Sequence, residues 1–368
     1  MPFCHILTVF AISYKNPERN YVMLAYQKMA LENVRAQAKA DHMGLYEYLD
    51  RLCRQFDVDE GALIKNVLQS PITINFHPDR LVQGGITILE SLIRHGRYHG
   101  QFRTGTTNGG KTAYIGGDRF LWEQALFQGA YPADAIDRPK YGALNIFRYL
   151  DGGSVRFGSC FFIMKQDILH RCTFSYGDSS SHPAVVCTSD TFACVLAALL
   201  KDVEIHQRML NQVVSSLQEA FAILLSPSRT LRHLGRNLDN CIETHIHGDI
   251  ALLSDVACFY LDSSYRDTLI EQQAAALCQM YEIELHWLPE RHVYTEEIGK
   301  YFRGPAIPIV AKKIDDVLGN HQGVIHAELI GRASRDSEIN PENWSDIGTK
   351  EDMFQYLKQL WHTVGYFG

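Results

Sequence analysis

At 368 residues, with 46% hydrophobic and 21% charged residues, the chain has the balance of a globular protein and enough length for one large domain or two. A formal charge of −7 with no Lys/Arg cluster excludes broad electrostatic binding to nucleic acid, and no stretch of ~18 apolar residues offers a membrane span. Nine scattered cysteines without a C-x-x-C pair fit reduced thiols in a cytosol-like compartment rather than a disulfide scaffold or a zinc ribbon.

The opening MPFCHILTVFAISYKNPERN has an apolar run but no basic n-region and no small-residue cleavage site, so no Sec signal is expected. From Tyr21 to about Ser70 the spacing predicts helices. Leu24, Leu31 and Val34 form one apolar stripe; Leu45, Tyr48, Leu49, Leu52 and Phe56 form another. Asp57 with Glu60 reads as a capping box for a third helix through Leu63, Ile64 and Val67. These helices carry no recognisable chemistry and are expected to serve as a packing layer.

Ile72, Ile74 and Phe76 alternate with Thr73 and Asn75, which predicts a half-buried strand delivering His77 and Arg80 at its end. A helix through Ile88, Leu89, Leu92 and Ile93 should stop at Gly96. The loop after it carries Thr104, Thr106, Thr107, Asn108, Gly109 and Gly110. Such a unit suits phosphate and ribose, because Arg offers a planar fork of donors and glycines let backbone N–H groups come close. An ordinary strand and helix with a surface His and Arg would show the same pattern.

GGDRFLWEQALFQGAY predicts a short helix with Arg119 and Glu123 paired four apart, which is favoured over a catalytic role for Glu123. Tyr141, Leu144 and Ile146 suggest a turn into a strand. SVRFGSCFFIM reads as a buried strand interrupted at Gly158 and Ser159, as where a ligand or another backbone comes close. Thr173 to Pro183 reads as a polar loop, Ser189 to Leu200 as a helix, and Ile205 to Leu225 as one long core helix ended by Pro227.

Cys241, Glu243, His245 and His247 alternate with Ile242, Thr244 and Ile246, so on a strand they share one face. Burying a carboxylate and two imidazoles together is costly, so this face is expected to border a cleft. Three readings stand: a polar face satisfied internally, a metal-dependent hydrolase using the His-x-His pair, or Glu243 as an acid, base or charge stabiliser opposite His77 and Arg80. The metal reading resembles amidohydrolases, but too little chain follows His247 for a barrel of ~250 residues. Further on, a helix carries Leu269, Ile270 and Leu277, and a strand alternates Ile283, Leu285 and Trp287 with Glu284 and His286. Pro305 is placed to open a helix, NPENWSDIGTKED reads as a loop, and Met353, Leu357, Leu360 and Trp361 begin a closing helix. His286 and His362 are read as satisfied structural residues.

The motifs ITINFHPDR, GTTNGG, GGDRFLWE, RPKYGALN, RFGSCFF, TFSYGDS, IETHIHG and LKQLWH, in that order, resemble a bacterial domain family catalogued as of unknown function and placed among divergent mono-ADP-ribosyltransferases. One departure is His245, where that family usually has Gln two residues after the Glu. The resemblance implies an α+β, split β-sandwich core with helical N-terminal and C-terminal additions: residues 1–70 a helical extension, residues 71–368 the catalytic domain. It implies NAD as substrate, with His77 or Arg80 as the first-strand group, Tyr141 or Ser159 in the middle and Glu243 last. Thr106, Asn108, Gly109 and Arg119 are the further candidates to hold NAD, and no metal is called for. A protein substrate is implied, with arginine among its acceptor side chains, and no nucleic acid or membrane partner. The place of action is then cytoplasmic, in its own cell or in a host cell entered as an effector. The alternatives are an NAD glycohydrolase, a non-catalytic nucleotide-binding module and the metal-dependent hydrolase.

Overall fold

Residues 23–105, 112–226 and 238–368 are described by the structure, a computed structural model. The N-terminal apolar stripes become three helices, Ala25–Asp41, Met43–Gln55 and Glu60–Leu68. Leu49, Leu52, Leu63 and Val67 are buried in the main core, so these helices do form a packing layer. The cap of the third differs from expectation. Asp59 Oδ1 accepts from the Ala62 N–H at 2.6 Å, whereas Asp57 sits at φ 53° in the preceding turn, too far back to reach an orphan amide.

Eight strands form one mixed sheet: β1 Ile72–Phe76, β2 Lys140–Leu144, β3 Cys160–Met164, β4 Cys172–Tyr176, β5 Val186–Thr188, β6 Ile242–Ile246, β7 Val256–Asp262 and β8 Glu284–Leu288. Their order is β8-β7-β3-β1-β2-β6-β4-β5. All pairs are antiparallel except β7 with β8, whose crossover is the helix Leu269–Tyr281. The class is α+β.

The join between β1 and β2 is short. They are in register only at Ile72↔Leu144 and Thr73↔Ala143. Beyond those pairs β1 stays with β3 as far as Phe76↔Cys160, while β2 stays with β6 as far as Lys140↔Ile246. The sheet therefore forks, with four strands on each side. Gly142 stands at the fork, where a Cβ would meet the Thr73 carbonyl oxygen at 2.5 Å.

β1 is buried along its whole length rather than on one face. Its polar residues find partners inside: Thr73 Oγ1 accepts from the Gly153 N–H at 2.9 Å, and Asn75 Nδ2 donates to the Asp151 carbonyl at 2.9 Å, while Asn75 Oδ1 is buried without a hydrogen-bond partner among the described residues. Other expectations are corrected. The strand expected across SVRFGSCFFIM begins only at Cys160, after a 3-10 turn at Val155–Phe157. Gly158 lies against the Phe76 backbone, where a Cβ would come within 2.0 Å of the carbonyl carbon. Thr173–Tyr176, expected in a loop, belong to β4, because Thr173 and Ser175 have buried partners across from His245 and Glu243. The helix expected from Ser189 to Leu200 forms at Ala193–His206, and the long one expected from Ile205 to Leu225 forms only at Leu217–Leu225, after a hairpin. Gln207 and Leu210, at φ 52° and 54°, leave the right-handed region and break the helix. Pro227, expected to end it, lies outside the described residues, as does the N-terminal stretch read for a signal.

The helix Ile88–His95 starts on a Thr87–Glu90 capping box and stops on Gly96 at φ 62°. Pro305 caps the helix Ala306–Leu318. In the stretch read as a loop, Pro341–Trp344 form a 3-10 turn and Thr349 caps the closing helix Lys350–Phe367, which buries Met353, Leu357, Leu360 and Trp361. Among the described residues no helix is long and apolar enough to cross a membrane.

Candidate functional site

A cleft of about 390 Å³ opens where the sheet forks. It is lined from one side by Asn75 and Phe76 of β1 with Arg80 beyond it, and from the other by Lys140, Tyr141 and Gly142 of β2 and by Glu243 of β6. Arg119 and Trp122 of the Asp118–Leu126 helix, the turn Asp178–Ser180, Arg156 and Lys358 complete the wall. Residues far apart in sequence meet here because β1, β2 and β6 are neighbours in the sheet.

Glu243 is almost fully buried, yet one oxygen remains available. Its Oε2 accepts from the Ser179 N–H at 2.8 Å and faces His245 Nε2 at 3.2 Å, while Oε1 makes no hydrogen bond among the described residues. The Ser179 amide is aimed by an Asx turn in which Asp178 Oδ1 accepts from the Ser180 N–H at 2.8 Å. Burial acts to raise the Asp178 carboxyl, but the Ser180 hydroxyl and Arg156 outweigh it and hold that group below its ordinary range.

Behind Glu243 runs a buried chain of polar contacts. Tyr131 OH meets His247 Nδ1 at 2.7 Å; His247 Nε2 and His245 Nδ1 meet Thr173 Oγ1 at 3.1 and 3.0 Å. In one assignment that uses every contact, Tyr131 donates to His247, His247 to Thr173, Thr173 to His245, and His245 to the Glu243 carboxylate. Burial, then the neighbouring His245, holds His247 well below 6.5, which agrees with a neutral ring. The His-x-His pair thus faces protein partners, and the strand face expected to border a cleft does so through Glu243 alone.

Tyr141 brings its ring to the cleft and its hydroxyl to Glu123, donating to Oε1 at 2.9 Å. Burial, with Glu123 next, pushes that hydroxyl far above the usual tyrosine value. Glu123 itself is enclosed by Arg138 at 3.1 Å and Arg119 at 3.6 Å, so the expected pair with Arg119 forms and a second arginine joins it. Burial raises its carboxyl even so. The Arg119 guanidinium lies 4.4 Å above the Tyr141 ring and 4.9 Å from that of Trp122, which makes a flat cationic and aromatic wall.

Arg80 and His77 part company. The Arg80 guanidinium lines the cleft and makes no hydrogen bond or ion pair among the described residues; Asp79 and Glu338 act on it only at a distance. His77 faces a small annex of about 10 Å³ shared with Arg80, Arg156, Phe354, Lys358 and Trp361. Its Nδ1 meets Ser159 Oγ at 3.2 Å, and Ser159 in turn meets Tyr265 OH at 3.3 Å. Ser159 therefore sits behind the wall, not in it. Burial, then Arg80 and His362, holds His77 well below 6.5, so it is neutral near pH 7. Thr106, Asn108 and Gly109 lie outside the described residues.

Sequence reasoning missed Arg138, Arg156, Ser179 and Lys358. The D-x-S turn in YGDSSS carried a signal for Ser179. Arg156 and Lys358 reach the cleft through tertiary packing, Arg138 reaches the buried Glu123 behind it in the same way, and the three carried none.

The family model described as "Protein of unknown function (DUF3626)" matches residues 71–367. The chain belongs to the DUF3626 family. The DUF3626 match begins one residue before β1 and holds every strand of the sheet and every cleft residue named above. The three N-terminal helices precede it. No curated protein is matched by the chain.

Proposed function

We propose that this DUF3626 protein is an NAD-consuming mono-ADP-ribosyltransferase whose split β-sandwich core binds NAD in the fork of the sheet and modifies a protein side chain. One observation carries the reading: three adjacent strands bring Arg80, Tyr141 and Glu243 to one cleft, with Glu243 anchored through Oε2 and open through Oε1. The forked sheet supports the split-sandwich form, since its two halves share only two registered pairs.

The chemistry follows from these residue types. The bond between nicotinamide and the ribose carbon breaks, nicotinamide takes the bonding pair, and positive charge develops on the ribose as in glycoside cleavage. Oε1 of Glu243 stabilises that charge and can accept a proton from the incoming nucleophile. Arg80 supplies an uncommitted guanidinium for the pyrophosphate. Tyr141, with Arg119 over its ring, offers a flat surface for an aromatic ring. Arg80 suits the first-strand role better than His77, whose neutral ring is turned to Ser159.

NAD hydrolysis is the second reading, and His245 favours it. Where an acceptor-orienting Gln is usual, this chain has a histidine that is fully buried and committed to Glu243 and Thr173. The deciding experiment incubates the purified protein with NAD, with and without a eukaryotic lysate. Nicotinamide release with label on a lysate protein supports transfer; release without label supports hydrolysis. No release from folded protein overturns both.

A further inference from the structure

A second set of reactive side chains lies at the far edge of the sheet, where β7 runs parallel to β8. Cys258 stands opposite Glu284 and Tyr260 opposite His286, so all four share one sheet face. The donor atoms of Cys258, Glu284 and His286 all lie within 4.8 Å of one another, and His286 Nε2 is 3.2 Å from Glu284 Oε1. None of the three lines the cleft. Glu284 and His286 have only each other as polar partners, and Cys258 has no hydrogen bond, among the described residues. Of the eight cysteines described, seven are buried and Cys258 alone is partly exposed. The His286 ring is stacked on Tyr260 at 4.6 Å, which is stacked in turn on Phe161 at 4.7 Å.

We propose that Cys258, Glu284 and His286 form a zinc site that clips the edge strand β8 to β7, with water as the fourth ligand. Thiolate, imidazole and carboxylate together suit zinc rather than magnesium or calcium, which prefer all-oxygen sets. Tetrahedral bonds of ~2.0–2.3 Å place donor atoms ~3.3–3.7 Å apart, so the Glu284–His286 spacing already fits and closing the rest takes about an ångström. The exposed Glu284 side chain can supply that movement. The ring stack fixes the imidazole plane, the task that outer contacts perform for a metal-bound histidine. Cys258 loses its thiol proton to solvent on binding. The clip acts on a strand whose outer edge has no sheet partner among the described residues.

The test is titration of the full chain, freed of metal, with Zn²⁺ against a chromophoric chelator, and with Co²⁺ followed by the thiolate-to-cobalt charge-transfer absorption. The expected result is one equivalent bound with that absorption, a higher melting temperature with zinc, and loss of all three effects in Cys258→Ser and in His286→Gln. His286 and Glu284 are at the surface, so His286→Gln and Glu284→Gln keep the test decisive if Cys258→Ser does not fold. Absence of stoichiometric binding by the unaltered chain, or undiminished binding by the variants, overturns the proposal.

Discussion

Replacing Glu243 by Gln is the most informative perturbation of the cleft. The amide can keep its carbonyl toward the Ser179 N–H, now 2.8 Å from Oε2, and turn its NH₂ to the open Oε1 position. The anchor survives, and the loss of charge assistance should cost about 1 kcal/mol of stability or less. The charge facing the ribose disappears, however, and an amide NH₂ there points partial positive charge at a centre that is itself becoming positive. Removing one such electrostatic group lowers turnover by ~10²–10³, or about 2.7–4 kcal/mol of barrier. The assay is nicotinamide release under saturating NAD, with the melting temperature measured on the same preparations. A folded variant whose turnover stays within roughly threefold of the parent would refute the role given to this carboxylate.

Thr173→Val keeps the side-chain shape but leaves a buried imidazole donor and acceptor unsatisfied in the chain behind Glu243, at ~1–3 kcal/mol for each. A melting temperature equal to the parent's would show that the chain is not formed as described. Glu123→Ala strands the buried Arg138 and should lose ~3–5 kcal/mol in a denaturant titration. Loss of turnover without loss of stability would instead make Glu123 catalytic. The His77 imidazole is held well below 6.5 by burial, so the unfolded chain binds a proton that the native chain does not, and stability falls as pH drops below 6.5. In His77→Gln that contribution is absent, so the stability of the variant should decline less steeply with acidification; parallel profiles would contradict a neutral native His77.

The elements carried by strong periodicity were legible. The three N-terminal helices, β1, the helix stopped by Gly96, the strand carrying Glu243 and the closing helix all follow from local spacing, because apolar side chains recur at the period of the element that buries them. Where local signals fail, a tertiary partner had intervened. TFSY reads as loop by composition yet pairs with β6, whose Glu243 and His245 give its hydroxyls buried neighbours. Ile205, Met209 and Val213 keep helical spacing, yet Gln207 and Leu210 turn the backbone between them.

The candidate site divides in the same way. Glu243 stood out because a carboxylate is costly to bury without partners and Arg80 because its guanidinium suits phosphate, Arg119 was read as the partner of Glu123, and Tyr141 entered through the resemblance that the order of motifs carries. What the sequence alone determined was therefore a partial inventory: the strands with strong alternation, and the carboxylate and guanidinium placed on or beside them. Only the tertiary structure decided that β1 and β2 part after two pairs, that Arg80 enters the cleft while His77 and Ser159 turn away, and that the His-x-His pair braces Glu243 from behind. The physical reason is that strand order and register at the fork are set by contacts between segments 70 to 106 residues apart, to which periodicity within any one segment is blind.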